Sequence, residues 1–136
     1  MDLSKSLQVA VSGLDAESAR LKVISENLAN AQSTALTPGG DPYRRKVISF
    51  KSVFDQKLDA TKVGIGRVGP AGGELQRHYD PVHPGADAEG YVKMPNVNPM
   101  IEVMDMREAQ RSYEANLNVI EASKAMLSRT IDLLRG

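Results

Sequence analysis

The stretch LSKSLQVAVSGLDAESARLKVISENLAN, residues 3–30, places apolar side chains at alternating spacings of three and four residues over four heptads. Only Glu17 interrupts the pattern. Apolar residues at this spacing line one narrow face of a helix, and a partner helix is needed to cover that face. The residues of this stripe that we assign to a helix-helix seam are Leu3, Leu7, Ala10, Leu14, Leu21, Ile24 and Leu28.

A second stripe of the same kind lies at the other end of the chain, interrupted at Gln110 and Lys124. Each stripe is the natural partner of the other. The predicted fold is therefore mainly α, with long N- and C-terminal helices that form an antiparallel coiled coil and a small β-containing insert between them. The C-terminal seam residues are Val103, Met106, Tyr113, Leu117, Ile120, Leu127, Ile131 and Leu134.

Pairing the two stripes in opposite directions also predicts their register. Leu3 should lie near Leu134, and the two polar exceptions, Glu17 and Lys124, should fall within about one turn of each other and pair. A helix of about 29 residues is about 43 Å long, which exceeds the width of a compact domain of this size. Because a two-helix seam buries little surface, we expect other chains to cover the remaining apolar residues.

The middle of the chain holds the residues that interrupt helices, since all seven prolines lie between Pro38 and Pro99. This distribution predicts three segments. Residues 1–35 form the N-terminal helix of an inner coiled-coil domain, residues 36–97 form a central β- and loop-rich domain, and residues 98–136 form the C-terminal helix of the inner domain.

Local signals predict where the individual elements begin and end. The first helix should run from about Leu3 to Asn30, before a run of turn-forming residues. Asn98 can cap the last helix, and Pro99 suits its first position. Short strands are predicted at residues 46–50, 74–79 and 90–94, where β-branched and aromatic residues cluster.

The composition disfavours several classes of protein. Seventeen Lys and Arg residues balance 17 Asp and Glu residues, so the chain has no overall positive charge for nucleic acid or an anionic membrane. Cysteine is absent, which excludes disulfides and thiolate metal ligands. No apolar run approaches the length of a transmembrane helix, and the first residues lack the basic and apolar regions of a secretory signal peptide.

Residues 64–69 match the dinucleotide-binding pattern G-x-G-x-x-G letter for letter. That pattern binds a cofactor only where a strand leads into a helix N-terminus, whereas Pro70 and further glycines follow here. We interpret the segment as a glycine-rich hairpin or loop, and we expect no cofactor.

Two other clusters of polar residues carry groups that could form a site. His78, Asp80, His83 and Asp87 carry metal-ligating groups, but the prolines between them keep the backbone extended, so we expect no metal site. Arg44–Lys46 is the one basic cluster, and we expect its arginines to meet acidic groups on another subunit. No arrangement typical of acyl-transfer catalysis is present, so we expect no enzyme.

Residues 27–31, Asn-Leu-Ala-Asn-Ala, close the first helix. This motif resembles the N-terminal motif of the flagellar axial proteins, which form the rod, the hook and the filament-associated structures of bacterial flagella. The resemblance continues nearly end to end, through the segments TPGGDPYRRK (residues 37–46), YDPVHP (79–84), GYVKMPNVN (90–98) and RSYEAN (111–116).

Within that family, the resemblance implies a structural subunit of the proximal rod of the flagellar basal body. Such subunits self-assemble with other rod proteins into a tubular drive shaft that transmits torque and encloses the export channel. The terminal helices would form its inner, tube-lining domain. The family-motif residues that we expect to contact neighbouring subunits are Asn27, Leu28, Ala29, Asn30, Pro42, Tyr43, Arg44, Arg45, Asn96, Asn98, Arg111, Ser112, Tyr113 and Asn116.

The same resemblance implies the partners and the location. The partners would be copies of the chain, other flagellar rod proteins, the adaptor that joins the rod to the membrane ring, and the flagellar type III export apparatus, with no nucleic acid and no small-molecule substrate. The location would be the basal-body rod spanning the periplasm, reached without a cleaved signal peptide. Two alternatives remain open: another axial subunit of the distal rod or hook, and a soluble helical adaptor protein.

Overall fold

The computed structural model describes residues 2–136 and contains two long helices and two small sheets. The mainly α fold with a β-containing insert is confirmed. In chain order the elements are α1 (Leu3–Ala29), β1 (Lys46–Asp55), β2 (Ala60–Pro70), β3 (Arg77–Tyr79), β4 (Tyr91–Lys93) and α2 (Pro99–Arg135).

The helix ends follow the local signals closely. The Asn98 side chain accepts a hydrogen bond from the Met100 backbone N–H at 3.1 Å, which caps the first turn of α2. Asp2 caps α1 in the same way, through a 2.9 Å bond from the Ser4 N–H. The first helix ends at Ala29, one residue earlier than predicted.

The strand predictions differ from the structure mainly in the glycine-rich segment. β1 begins at Lys46 as predicted but extends to Asp55, and β2 includes Gly64 and Gly66. A Cβ atom on Gly64 would lie 2.7 Å from the Val53 side chain, and one on Gly66 would lie 2.8 Å from the Ser49 hydroxyl. The glycines therefore make room for β1 side chains in a two-stranded sheet, and they belong to a strand with no helix after it.

The chain forms two compact units, each made of segments distant in sequence. The first unit contains the part of α1 that ends at Leu21, together with Ser49–Arg67 and Arg107–Gly136. The second unit contains Lys22–Ile48 and Val68–Met106. The predicted division into an N-terminal helix, a central domain and a C-terminal helix stays a prediction.

In the first unit, α1 and α2 run antiparallel, but their register differs from the predicted one. A Cβ atom on Gly13 would lie 2.9 Å from the Asn116 amide nitrogen, and Arg20 forms an ion pair with Glu108 at 3.6 Å. These contacts displace α2 by about two turns from the predicted alignment. Leu134 is consequently 84% exposed and does not pack near Leu3.

The expected pair between Glu17 and Lys124 is also absent. Glu17 lies 3.7 Å from Arg20 on its own helix, and Lys124 is exposed. The prediction failed because it paired the two apolar stripes from end to end, whereas the structure brings small residues together. Ala16 and Ala109 are buried, and Gly13 lets the helices approach closely.

The predicted seam residues consequently lie in three environments. Ala10, Ile24 and Ile120 are buried. The half-buried positions are Leu3, Leu7, Leu14, Leu21, Leu28, Met106 and Tyr113. The exposed positions, all on α2, are Val103, Leu117, Leu127, Ile131 and Leu134. A coiled-coil seam through all of these residues stays a prediction.

The second unit contains the β3–β4 sheet. The strands are antiparallel, with His78 opposite Val92 and Tyr79 opposite Tyr91. Val92 is buried, so one face of the sheet packs inward. Gly90 precedes β4 with φ of 88°, and a Cβ atom there would lie 2.9 Å from the Tyr79 ring, so this turn requires glycine.

Engineered cysteine pairs test the helix register, because the chain has no cysteine of its own. Gly13→Cys with Asn116→Cys should form a disulfide under mild oxidation, since a Cβ atom at position 13 lies directly against the side chain at position 116. Gly13→Cys with Lys124→Cys, the pair that the sequence-based register aligns, should stay reduced. Mobility on a non-reducing gel distinguishes the two double variants. A disulfide in the second pair alone would support the register predicted from the sequence and contradict the one in the structure.

Candidate functional site

Asn27 lies at the centre of a buried polar junction in the second unit. The side chain is 1% exposed, and all its hydrogen-bonding groups have partners. Its Oδ1 accepts from the Tyr43 hydroxyl at 2.8 Å and from the Lys46 backbone N–H at 2.9 Å. Its Nδ2 donates to the Lys46 carbonyl at 2.9 Å and to Glu102 Oε2 at 3.3 Å. One amide therefore joins the last turn of α1 to the start of β1 and the first turn of α2.

Glu102 is the fully buried charge of this junction, with a relative exposure of 0%. Arg45 Nε donates to Glu102 Oε1, and Arg45 Nη2 lies 3.4 Å from Asp105 Oδ2. The Arg45 backbone is fixed as well, because its N–H donates to Asn96 Oδ1 at 2.7 Å. A buried carboxylate needs such a partner, since an isolated one would be strongly destabilising.

The edge of the junction is more exposed and also charged. Lys46 Nζ lies 2.9 Å from Glu26 Oε2. This hydrogen bond lowers the pKa of Glu26 and raises the pKa of Lys46, because each charged form is stabilised by the other. Burial raises the pKa of the Tyr43 phenol, and the protonated hydroxyl donates to Asn27.

A second buried carboxylate lies on α1 in the first unit and is poorly compensated. Glu17 is 9% exposed, and its Oε2 accepts no hydrogen bond from the part of the chain that the structure describes. Desolvation raises the pKa of Glu17, while Arg20 lowers it and Glu108 raises it further. The charged form of Glu17 therefore lowers the stability of the helix pair.

The exposed surface of α2 is unusually apolar. Beyond Ser123, which is the last buried residue, every position of the helix is exposed. Large hydrophobic residues continue there in each turn: Met126, Leu127, Ile131, Leu133 and Leu134. The first two turns carry a similar group, namely Met100, Ile101, Val103 and Met104. Apolar surface on this scale is typical of a protein that binds other protein chains.

The family-motif residues divide into internal and external positions. Asn27, Tyr43, Arg45 and Asn96 form the polar junction, and Asn98 caps α2. Pro42 is buried, whereas Arg111 is exposed. The half-buried positions are Leu28, Asn30, Arg44, Ser112, Tyr113 and Asn116, and Ala29 is exposed.

The segment around the two histidines, where we expect no metal site, is held by hydrogen bonds and an ion pair within the chain. His83 Nδ1 accepts the Gly85 N–H at 2.9 Å, and its Nε2 lies 3.0 Å from the Thr34 hydroxyl. Asp87 accepts from the Tyr91 N–H and binds Arg77, which lowers its pKa. Within residues 2–136, no group of His, Asp or Glu side chains is arranged to hold a metal ion.

Comparison with known proteins relates this architecture to a family. The family model described as Flagella basal body rod protein matches residues 7–35, and the one described as Flagellar basal body rod FlgEFG protein C-terminal matches residues 88–133. The flagellar basal-body rod protein FlgC of Agrobacterium fabrum is 50% identical over 134 residues, which cover 98% of this chain and 96% of that protein.

The chain belongs to the FlgC family of flagellar basal-body rod proteins. FlgC of Borreliella burgdorferi is 39% identical over 153 aligned positions that cover both chains completely, and FlgC of Salmonella typhimurium is 38% identical over 133, with 98% of each chain covered. The family membership implied by the motif at residues 27–31 and by the later segments that resemble the family is confirmed. None of the helices in the described part of this FlgC-family chain is long and apolar enough to cross a membrane.

The polar junction predicts a large effect of Asn27→Ala. The substitution leaves the Tyr43 hydroxyl and the Lys46 backbone groups without their partner, so we expect a loss of about 3 kcal/mol in the free energy of unfolding. Asn30→Ala is the matched control, because Asn30 is only half-buried and should lose less than about 1 kcal/mol. Urea denaturation followed by circular dichroism measures both, and equal midpoints for the two variants would contradict the role assigned to Asn27.

Glu17 predicts an unusual dependence of stability on pH. Its pKa is raised in the folded chain, so the native state binds the proton more tightly than the unfolded state does. The penalty from the charged carboxylate is therefore present above the folded pKa and disappears as the pH falls through that pKa toward the unfolded value.

Glu17→Gln should consequently stabilise the chain at pH 7, and the gain should shrink on acidification. Glu121→Gln, at an exposed position of α2, controls for the loss of one negative charge. Thermal unfolding of the three proteins between pH 4 and 7 gives the comparison. A gain from Glu17→Gln that stays constant with pH would show that desolvation of the carboxylate is not the cause.

Proposed function

We propose that this chain is a structural subunit of the proximal rod, which assembles with copies of itself and with other rod proteins into a tubular drive shaft. The shaft transmits torque and encloses the export channel. The observation that carries the proposal is the apolar surface of α2, which this chain leaves uncovered from Met126 to Leu134. Family membership supports the same function, since the relatives are named as basal-body rod proteins.

The position of the apolar residues on α2 favours an open assembly. Exposed large apolar residues lie in the first two turns, at Leu117 and Val119, and from Met126 to Leu134, so they are spread along the 37-residue helix and are not confined to one patch. Contact between different surfaces on successive copies does not close after two subunits, and it generates rings or helical filaments. A soluble adaptor that binds one partner would need only one such surface.

The proposed contacts involve both the seam residues and the family-motif residues. The exposed seam positions on α2 would meet neighbouring subunits, with Arg111 beside them. The internal motif residues, such as Asn27 and Tyr43, would act indirectly by fixing the helix ends from which those contacts are made. The half-buried seam positions would complete a coiled coil within the inner domain.

The remaining partners and the location follow from the family and are part of the proposal. They are the other rod proteins, the adaptor between rod and membrane ring, and the type III export apparatus, in the periplasm-spanning rod of the basal body. We assign the chain no catalytic role, and the distal rod and hook remain the alternative positions within the flagellum.

Leu127→Glu tests the proposal directly. A charge at this exposed apolar position should leave the isolated chain folded but prevent burial against a neighbour, so rods should be lost. Ser128→Glu is the matched control, because it adds the same charge at the next exposed residue of the helix. Each variant is expressed in cells that lack their own protein of this family, and basal bodies are counted by electron microscopy.

Swimming in soft agar provides a second measurement. The native chain should restore rods and swimming, Ser128→Glu should retain them better than Leu127→Glu, and both variants should match the native helical content in solution. Full assembly with Leu127→Glu would eliminate the C-terminal end of α2 as a subunit contact.

A further inference from the structure

In the basic cluster Arg44–Lys46, two residues form ion pairs with carboxylates of the same chain and the third does not. Arg45 binds Glu102 and Asp105, and Lys46 binds Glu26. Arg44 has no carboxylate partner within residues 2–136. Its Nη1 donates to the backbone carbonyls of Ala71 and Gly73 at 3.5 and 3.2 Å. These carbonyls fix the guanidinium in place without neutralising its charge.

The fixed guanidinium lines a cleft of about 410 Å³ in the second unit. Two further cations, Arg77 and Lys93, line the same cleft, and Leu75 gives it an apolar wall. Arg77 is bound by Asp87 at 2.6 Å, and Lys93 lies 3.2 Å from Asp41. Glu74 is the other acidic residue of the lining, and it forms no ion pair within the described chain.

We propose that this cleft binds a carboxylate side chain of a neighbouring rod subunit, with Arg44 as its main partner. The inference rests on the proposed function, because the neighbour is present only in an assembly. Lys93 is paired with Asp41, and Arg77 is paired with Asp87 and Glu89, so Arg44 is the cation of the lining that lacks a carboxylate partner within the described residues. A negatively charged group beside Arg44 would complete an ion pair. Guanidinium binds a carboxylate through two parallel hydrogen bonds, and Arg44 keeps donors that the carbonyls do not use.

The shape of the cleft favours a protein side chain over a free anion. Asp41, Gly73, Glu74 and Arg77 are exposed, so a small anion would remain largely in contact with water and gain little. A carboxylate that is delivered by a protein surface has its position fixed by the surrounding contacts, which removes much of the entropic cost of binding. The guanidinium of Arg44, which has no carboxylate partner within the described residues, therefore favours an acidic residue on another subunit.

A zero-length cross-linking experiment on assembled rods tests the inference. Arg44→Lys keeps the positive charge and adds a primary amine, which a carbodiimide couples to any carboxylate in direct contact. Glu74→Gln is introduced together with it, so that an amide to Glu74 of the same chain cannot form. Isolated basal bodies are treated, and the linked peptides are identified by mass spectrometry.

The expected result is an amide between position 44 and an Asp or Glu of a second copy or of another rod protein. Arg67→Lys, an exposed arginine of β2 that does not line the cleft, is the control and should give a several-fold lower yield. Arg44→Gln should reduce the number of rods, whereas Glu74→Gln alone should not, since it removes a competing negative charge.

Three outcomes would overturn the inference. Rods that assemble normally and give either no cross-link at position 44 or only one to Asp41 of the same chain would refute it while leaving the rod function intact. Tight binding of inorganic phosphate or acetate to the purified chain, abolished by Arg44→Gln, would assign the cleft to a soluble anion. Failure of the native chain to build any rods would refute the rod function and the inference with it.

Discussion

The burial of Glu102 is the constraint on which the second unit depends. A carboxylate with no exposure to water must be paired and hydrogen-bonded, and Arg45 and Asn27 are the residues that meet this requirement. Since Asn27 also binds both backbone groups of Lys46, the same cluster sets where β1 begins. The ends of three elements are thus fixed by polar geometry in a chain that has few large buried apolar residues.

The first unit follows a different principle, because small residues bring the helices together there. Alanine and glycine occupy the closest contacts, which leaves many of the larger apolar side chains outside. Close approach of the helix backbones gains van der Waals contact but buries little surface. Stability and assembly are therefore linked, since the residues that would complete the core of an ordinary helical domain are on the surface that neighbours can cover.

Elements could be predicted from the sequence more readily than the way they pack. The cap at Asn98 and the turn-forming residues after Asn30 located the helix ends, because those signals act locally. The helix register could not be obtained this way, since the apolar pattern favoured leucines while the structure buries Gly13 and Ala109. The glycine-rich segment of β2 was interpreted only as a hairpin or loop. Local propensity does not include the packing against β1 that places glycine in this strand. Asn27 was named as a family-motif residue expected to contact a neighbouring subunit, although Val23 and Ile24, one turn earlier on α1, were an available signal that this face of the helix is buried.

The sequence separation within the polar junction has a consequence for the timing of folding. Asn27 and Glu102 are 75 positions apart, so their hydrogen bond closes a long loop and belongs to the slow, non-local class of contacts. A chain that emerges gradually through a narrow passage, from either end, cannot complete this contact until the whole of residues 27–102 is free. In the proposed export, the junction would form only after release is complete, and residues 27–102 would stay extensible until passage is nearly finished.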